Sequence, residues 1–342
     1  MKSQCIKAPK RYGEDIRQAC LKKKTLNSDL EIDKDNDYIY IPITGKLKDK
    51  ATEKEFEIQY SNYDFAVLEK VPESYKDVIN VPKAVIEQLP TSFDVVGNIA
   101  VVKIKPDIEN YKDKIGLAIM KANKNIATVA MDKGVIGDFR VRDLEIIAGR
   151  NITETRHTEY GVEIQIDLAK VYFSPRLAQE RYRVAQLVQE GEVVIDMFTG
   201  AGPFSLMIAK HAKAQKIYSI DLNPDAIEFL NRNIGGNHFK NIEPVFGDAK
   251  YVVTTLEPAD RLIMNLPFNA FDFLEEAIYA AKDTATIHYF EIVEDDQIDA
   301  RVKEITDKGK EMGVKLKIPE VRKIKSYSPT QTHIGLDIHV SK

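Results

Sequence analysis

The sequence predicts an α/β protein, with a mainly parallel sheet in its second half that is preceded by an α+β domain and a small N-terminal module. Three observations lead there. The stretch Glu192–Ser205 runs from apolar residues into Asp196, a loop carrying Gly200 and Gly202, and then Pro203; it reads as a strand buried on both faces, a tight turn and the first turn of a helix. Three further apolar stretches each end in polar residues: 215–221 at Asp221, 242–246 at Gly247-Asp248, and 261–264 at Asn265-Leu266-Pro267-Phe268. The middle of the chain carries two hairpin signatures, centred on Gly97-Asn98 and on Glu159-Tyr160-Gly161.

Composition bounds the class. The chain has 342 residues, a net charge of −4, 30% charged and 44% hydrophobic residues, which suits an ordinary globular protein of two or three domains. No run of eighteen apolar residues and no signal-like N-terminus is present, so a cytoplasmic protein is expected. Cys5 and Cys20 are the only cysteines. They exclude a disulfide scaffold, a cysteine-rich zinc site and an iron–sulfur cluster, and no metal is called for.

Residues 1–63 read as a separate module. Lys2, Lys7, Lys10, Arg11, Arg17, Lys22, Lys23 and Lys24 face only Glu14 and Asp15 near its start, a local excess that suits either a phosphate-contacting surface or a solvated helix face. Residues 38–43 are predicted as a strand paired with 56–60. Residues 64–90, with Pro72, Pro82 and Pro90, read as a linker with one short helix. Residues 91–168 form the predicted α+β domain: the hairpin around Gly97, a helix over 107–123, strands near 126–131 and 139–148, and the second hairpin. Residues 169–342 hold the mainly parallel sheet. A helix over 224–234, one over 271–282, a strand at 286–292, a charged helix over 295–312, and strands at 315–318 and 332–340 complete it. Lys315, Lys317, Arg322, Lys323 and Lys325 near the end suit either phosphate contact or a solvated edge strand.

In an open α/β sheet, ligands lie across the carboxyl ends of the strands, so the four polar strand ends should converge. The loop departs from a dinucleotide fingerprint, because Ser205 stands at the third glycine position and Phe204 where a pyrophosphate would meet the helix. A nucleoside site without a diphosphate follows, with Asp221 at the place of a ribose-hydroxyl acceptor.

The order of these motifs resembles the class I S-adenosylmethionine-dependent methyltransferases. By that resemblance the sheet is Rossmann-like and seven-stranded, five parallel strands followed by an antiparallel pair. Asp196, Phe198, Gly200 and Gly202 line the methionine end, Asp221 and Leu222 hold the ribose, Asp248 and Ala249 meet the adenine, and Asn265 to Phe268 form the catalytic tetrapeptide. The linker motif Asp167–Arg181, taken with Gly137-Asp138-Phe139-Arg140-Val141-Arg142 and Asn265-Leu266-Pro267, resembles the archaeal and eukaryotic tRNA (guanine-N1)-methyltransferases acting at position 37, over most of the chain. That resemblance implies S-adenosylmethionine as cofactor and tRNA as partner, gripped through its anticodon loop and overall fold by a monomer. Glu180, Arg140, Asn265, Pro267 and Tyr172 carry over as catalytic or base-contacting residues, and Arg181 as a cofactor contact.

The chemistry suits those residue types. Guanine N1 holds a proton at neutral pH, so methylation there needs a carboxylate base, and Glu180 fits. Charge moves to O6 as the proton leaves, and a fixed cation such as Arg140 meets it. Asn265 reads the amino edge or orients N1, while Pro267 fixes the loop. A base must leave its stack to react, which costs least in a loop. Methylation at C5 of a pyrimidine normally uses a cysteine, and none lies in this half. The duller readings are a surface ion pair for Glu180 and Arg181, an interdomain bridge for Arg140, a helix-capping turn for Asn265–Pro267 and simple packing for Tyr172. Phe268 after Pro267 also resembles the tetrapeptide of exocyclic amino methyltransferases, which leaves N2 chemistry open. Methylation of a wyosine intermediate and aminocarboxypropyl transfer share the core motifs. A tRNA-binding protein with a silent nucleoside site is the reading from a different class.

Overall fold

A computed structural model describes every residue except 48, 69–71, 73 and 138, with residue 51 described in its backbone alone. Asp138 of the Gly137–Arg142 motif therefore lies outside the described residues. The chain divides into two compact units, Met1–Glu73 and Ser74–Lys342.

The first unit holds β1 (Lys2–Pro9), α1 (Gly13–Lys22), β2 (Asp33–Lys34), β3 (Tyr38–Pro42), α2 (Lys50–Glu55) and β4 (Gln59–Asp64). Its four-stranded sheet has the order β2-β3-β1-β4. The expected pairing of 38–43 with 56–60 is corrected: β1 lies between β3 and β4 and is antiparallel to both. In α1 the buried residues Gly13, Ile16 and Cys20 recur at helical spacing, and Ile16 and Cys20 pack with Ile6 and Ile41 of the sheet. The basic residues do not form one helix face. Lys7 sits over the Tyr38 ring, Arg11 pairs with Glu57, Arg17 with Glu14 and Lys23 with Asp49.

The second unit begins inside the expected linker. Tyr75, Val85 and Leu89, the second of these in α3 (Lys83–Ile86), are buried in the same cluster as Ile108, Ile115 and Ile119. The strands β5 (Asp94–Val96), β6 (Ile99–Val102), β7 (Thr128–Ile136) and β8 (Val141–Gly149) form a sheet in that order. The β5–β6 hairpin is antiparallel, and β6 and β7 run parallel across the crossover helix α4 (Lys112–Ala122). The hairpin β9 (Glu154–Glu159) and β10 (Val162–Asp167) joins this sheet to the next: Val162, Ile164 and Ile166 share one cluster with Val96, Ile99 and Val101 and with Val184, Phe204, Leu206 and Leu230, and Gly97 N–H donates to His157 Nδ1 at 3.1 Å.

The large sheet follows α5 (Ala178–Leu187). Its elements are β11 (Val193–Asp196), α6 (Pro203–His211), β12 (Lys216–Asp221), α7 (Pro224–Asn237), β13 (Ile242–Phe246), α8 (Ala249–Val252), β14 (Ala259–Asn265), α9 (Leu274–Ala280), β15 (Ala281–Glu294), α10 (Ile298–Glu311), β16 (Lys315–Lys317), β17 (Val321–Ser326) and β18 (Gln331–Ser341). The order is β13-β12-β11-β14-β15-β18-β16, with β17 also paired to β18. The first five strands are mutually parallel; β18 is antiparallel to β15, and β16 and β17 are antiparallel to β18. The seven-strand expectation is thus corrected to a mixed sheet of eight. The edge position beside β18 is shared by β16 and β17, and the charged β17, Val-Arg-Lys-Ile-Lys-Ser, carries no apolar alternation to announce it. Every residue of β11 is buried, as a strand covered on both faces requires.

Candidate active site

The carboxyl ends of β11, β12 and β14, with the turn after β13, open on one cavity of about 440 Å³. Backbone geometry assembles its first wall. Thr199 N–H donates to Ile220 O and Gly202 N–H to Thr199 O, at 2.8 and 2.9 Å, so the loop after β11 folds back on β12. Gly202 has φ +91°, and a Cβ there would stand 2.4 Å from Leu230 Cδ1; only glycine fits this turn. Asp221 accepts from Gly200 N–H at 2.7 Å and from Asn223 N–H at 2.9 Å. Burial pushes its carboxyl above the usual range, against the pull of those backbone donors. Asp248 caps α8 by accepting from Lys250 N–H at 2.9 Å. Phe198, Gly200, Leu222, Asp248 and Ala249 all line the cavity.

The opposite wall comes from the loop after β14 and from the β7–β8 turn. Asn265 ends β14, and its buried Oδ1 has no hydrogen-bond partner among the described residues. Pro267 O accepts from Ile292 N–H at 2.6 Å, which ties the loop to β15. Arg140 has φ +53°, uncommon for a residue with a side chain, and its guanidinium lies 4.1 Å from the Phe268 ring centroid. Tyr172 lines the cavity beside them, and burial pushes its hydroxyl pKa up.

Three expected site residues are placed elsewhere. Glu180 lines neither this cavity nor the one beside it. Its Oε2 accepts from Arg183 Nε at 2.9 Å and stands 3.6 Å from Arg322 Nε, and both arginines also hold Asp337. The reason is helical phase: Leu177 and Arg181 face the cavity, and Glu180 and Arg183 face β17 and β18. Asp196 is fully buried behind the loop rather than in the cavity wall, accepting from Ser205 Oγ at 2.9 Å; burial raises its pKa to about 6. Gly202 shapes the loop without lining the cavity. Arg181 does line it, but the residue is 1% exposed and its guanidinium is engaged with Glu159 (Nε–Oε2 2.8 Å) and Ser174 O.

Sequence reasoning missed Glu159, Phe139, Phe173 and Leu177. Glu159 carries one signal, a carboxylate that closes the inward row Thr155, His157 and Glu159 of β9 opposite the apolar row of β10; Phe139, Phe173 and Leu177 lie within the quoted motifs and carry no signal beyond them. The arrangement suits an adenine nucleoside with a charged tail: two carboxylates at successive strand ends, a glycine loop that admits close backbone approach, and an orphaned amide oxygen awaiting an N–H donor.

Fold and cavity together define a nucleoside-binding α/β enzyme of the methyltransferase class. A family model described as the TRM5/TYW2 methyltransferase domain matches residues 155–317. Models described as the TYW2 N-terminal domain and the tRNA methyltransferase 5 N-terminal domain match 75–153 and 5–51. The tRNA (guanine(37)-N(1))-methyltransferase Trm5b of Pyrococcus abyssi is 40% identical over 338 residues, covering 98% of each chain. A solved complex of aTrm5 and tRNALeu matches with a TM-score of 0.77 and 34% identity, over 98% of this chain and 99% of that one. Methanocaldococcus jannaschii TYW2 in complex with AdoMet matches with a TM-score of 0.57 and 29% identity, over 73% of this chain and 100% of that one. The chain belongs to the TRM5/TYW2 methyltransferase family.

Proposed function

We propose that this chain transfers a methyl group from S-adenosylmethionine to N1 of guanine 37 in tRNA. The observation that carries the reading is a single cavity holding the two strand-end carboxylates on one side and Asn265, Pro267 and Arg140 on the other, in a chain 40% identical along its length to a methyltransferase of that name. S-adenosylmethionine supplies a methyl group on a positively charged sulfur. Asp221 accepts from the ribose hydroxyls and Asp248 from the adenine amino group. Gly200, Phe198, Leu222 and Ala249 form the walls around them. Arg181, paired with Glu159 and bonded to Ser174 O, gives the cavity edge a fixed guanidinium face rather than a free charge.

On the acceptor side, Asn265 Oδ1 takes a guanine N–H, which removes the cost of an unpaired buried acceptor. Arg140 leaves the Phe268 ring and meets the charge that develops on O6, and Tyr172 packs against the everted base. Glu180 would receive the N1 proton as N1 takes the methyl group, the sulfur–methyl bond breaking and its electron pair staying on the neutral thioether that leaves. To do so its carboxylate must release Arg183 and Arg322, so RNA binding has to rearrange this side of the site before reaction.

The same reading divides the chain into an N-terminal tRNA-recognition module ending near residue 63, an α+β part ending near 153, and a Rossmann-like catalytic domain with the second hairpin as its entry. It makes the protein a cytoplasmic monomer. Among the described residues no helix is long and apolar enough to cross a membrane.

The test is nucleoside mass spectrometry of tRNA transcripts carrying guanine, inosine or adenine at the target position. The reading predicts 1-methylguanosine, a slower N1-methylated product from inosine, and none from adenine. An N2-methyl product, toward which Phe268 after Pro267 points, or an aminocarboxypropyl product would overturn it.

A further inference from the structure

A second cavity, of about 260 Å³, adjoins the first and shares Arg140, Tyr172, Ser174, Pro267 and Phe268 with it. Its volume is below the usual range for a drug-sized ligand. Its lining is strongly cationic: Lys103, Arg140, Arg142, Arg176 and Lys325, against the carboxylates of Asp94 and Asp132. Both carboxylates are already engaged. Asp94 receives Arg176 Nε at 2.7 Å and Arg142 at 3.1 Å, and Asp132 receives Arg142 at 3.3 Å and Gly134 N–H at 2.9 Å.

Among the described residues Lys103, Arg140 and Lys325 have no carboxylate partner; Lys103 is exposed and Arg140 rests on the Phe268 ring, which leaves Lys325 as the part-buried amine of this cavity. Its Nζ donates to Ser174 Oγ at 3.3 Å, and no carboxylate pairs with it among the described residues. Burial pushes its amine down to about 8, and Arg176, Arg142 and Arg181 push the same way while Asp94 opposes them. The described lining thus holds more cations than carboxylates, five against two. Its cross-strand neighbour His333 is also depressed, to about 4 by burial and by Lys325, and is neutral at physiological pH. A built cavity with surplus positive potential is a receptor for an anion.

We infer that this second cavity seats an RNA phosphodiester adjacent to the everted target nucleotide, with Lys325 as its principal ligand and Arg142 and Arg176 as its fixed cationic wall. The inference rests on the reading of the chain as a tRNA-modifying enzyme. A phosphodiester is the anion that the shared wall selects, because a nucleotide whose base enters the first cavity past Arg140 and Phe268 carries its own backbone to the second. The pocket reads no sequence; it fixes the register of the strand, so that the base beyond that phosphate is the one presented.

The test uses the full chain at neutral pH. Lys325→Gln should lower tRNA affinity about tenfold and reduce the slope of log affinity against log salt by about 1, with S-adenosylmethionine affinity unchanged and Lys325→Arg restoring tRNA binding. An unchanged slope and affinity would overturn the pocket. Acylation of lysines in the unsubstituted chain, read by mass spectrometry, keeps the idea testable if the variant does not fold. Bound tRNA should protect Lys325 several-fold. Equal labelling with and without tRNA, or protection by inorganic phosphate but not by tRNA, would overturn it. Formation of 1-methylguanosine by the same preparation is read in parallel: product without protection sinks only the pocket, and no product sinks the enzyme reading.

Discussion

The two sides of the active-site cavity are built differently. On the cofactor side, Asp221, Gly200 and Asp248 are held by backbone hydrogen bonds that the strand and helix ends supply. On the acceptor side, Arg140 rests on Phe268, and outside the cavity Glu180 rests on Arg183; both are side-chain contacts that the proposed reaction would have to break. The first half is preorganised; the second is parked. On the proposed function, the difference predicts a chain that binds its methyl donor as it stands and completes its acceptor side only when the RNA arrives, as induced fit requires.

Substitutions can break or sharpen that contrast. The largest effect is expected for Glu180→Gln, a loss of about 1000-fold in single-turnover rate with S-adenosylmethionine affinity kept within about twofold; an unchanged rate would remove Glu180 as the base. Next, Arg140→Ala should lower that rate about 100-fold, with a much smaller loss of tRNA affinity; equal losses in both would make Arg140 a binding group only. Asp221→Ala should weaken S-adenosylmethionine binding between about 10- and 100-fold through lost charged hydrogen bonds, and calorimetry that finds no change would empty the ribose assignment.

The smallest effect concerns the residue behind the loop. Because burial raises the Asp196 pKa to about 6, ionisation costs the folded state: the cost is absent below the unfolded range near 4 and complete above about 6. Asp196→Asn should therefore stabilise the fold at pH 8 by about 1 kcal/mol, part of the gain being offset by a weaker bond to Ser205. At pH 4 the gain should vanish. Equal denaturant midpoint shifts at both pH values would show that the charge is not what the substitution removes.

How much of this was legible in the sequence follows from what each residue's signal depends on. The Val-Val-Ile-Asp of β11 and the acids at later strand ends were visible because a parallel sheet needs apolar strands and puts polar residues at one edge. Asn265, Pro267, Arg140, Tyr172, Phe198 and Leu222 were legible for the same reason, or through the motif resemblance. Helical phase hid the true setting of Glu180, since sequence alone does not say which face of a short helix meets a cavity and which meets a neighbouring strand. Asp196 was misplaced by one layer: a strand-end acid can turn into the cavity or under the loop, and Ser205 on α6 drew it under. In β1, Lys2 and Lys7 dilute the apolar signal, so the strand that separates β3 from β4 was read as part of a basic segment.

The central claim, that the cofactor half is complete before RNA arrives, is tested most directly by titrating S-adenosylmethionine into the free chain in a calorimeter and following its thermal unfolding. The account predicts one-to-one binding without RNA, and at a ligand concentration about 100 times Kd a stabilisation of about 3 kcal/mol. No heat and no thermal protection in the absence of tRNA would contradict it.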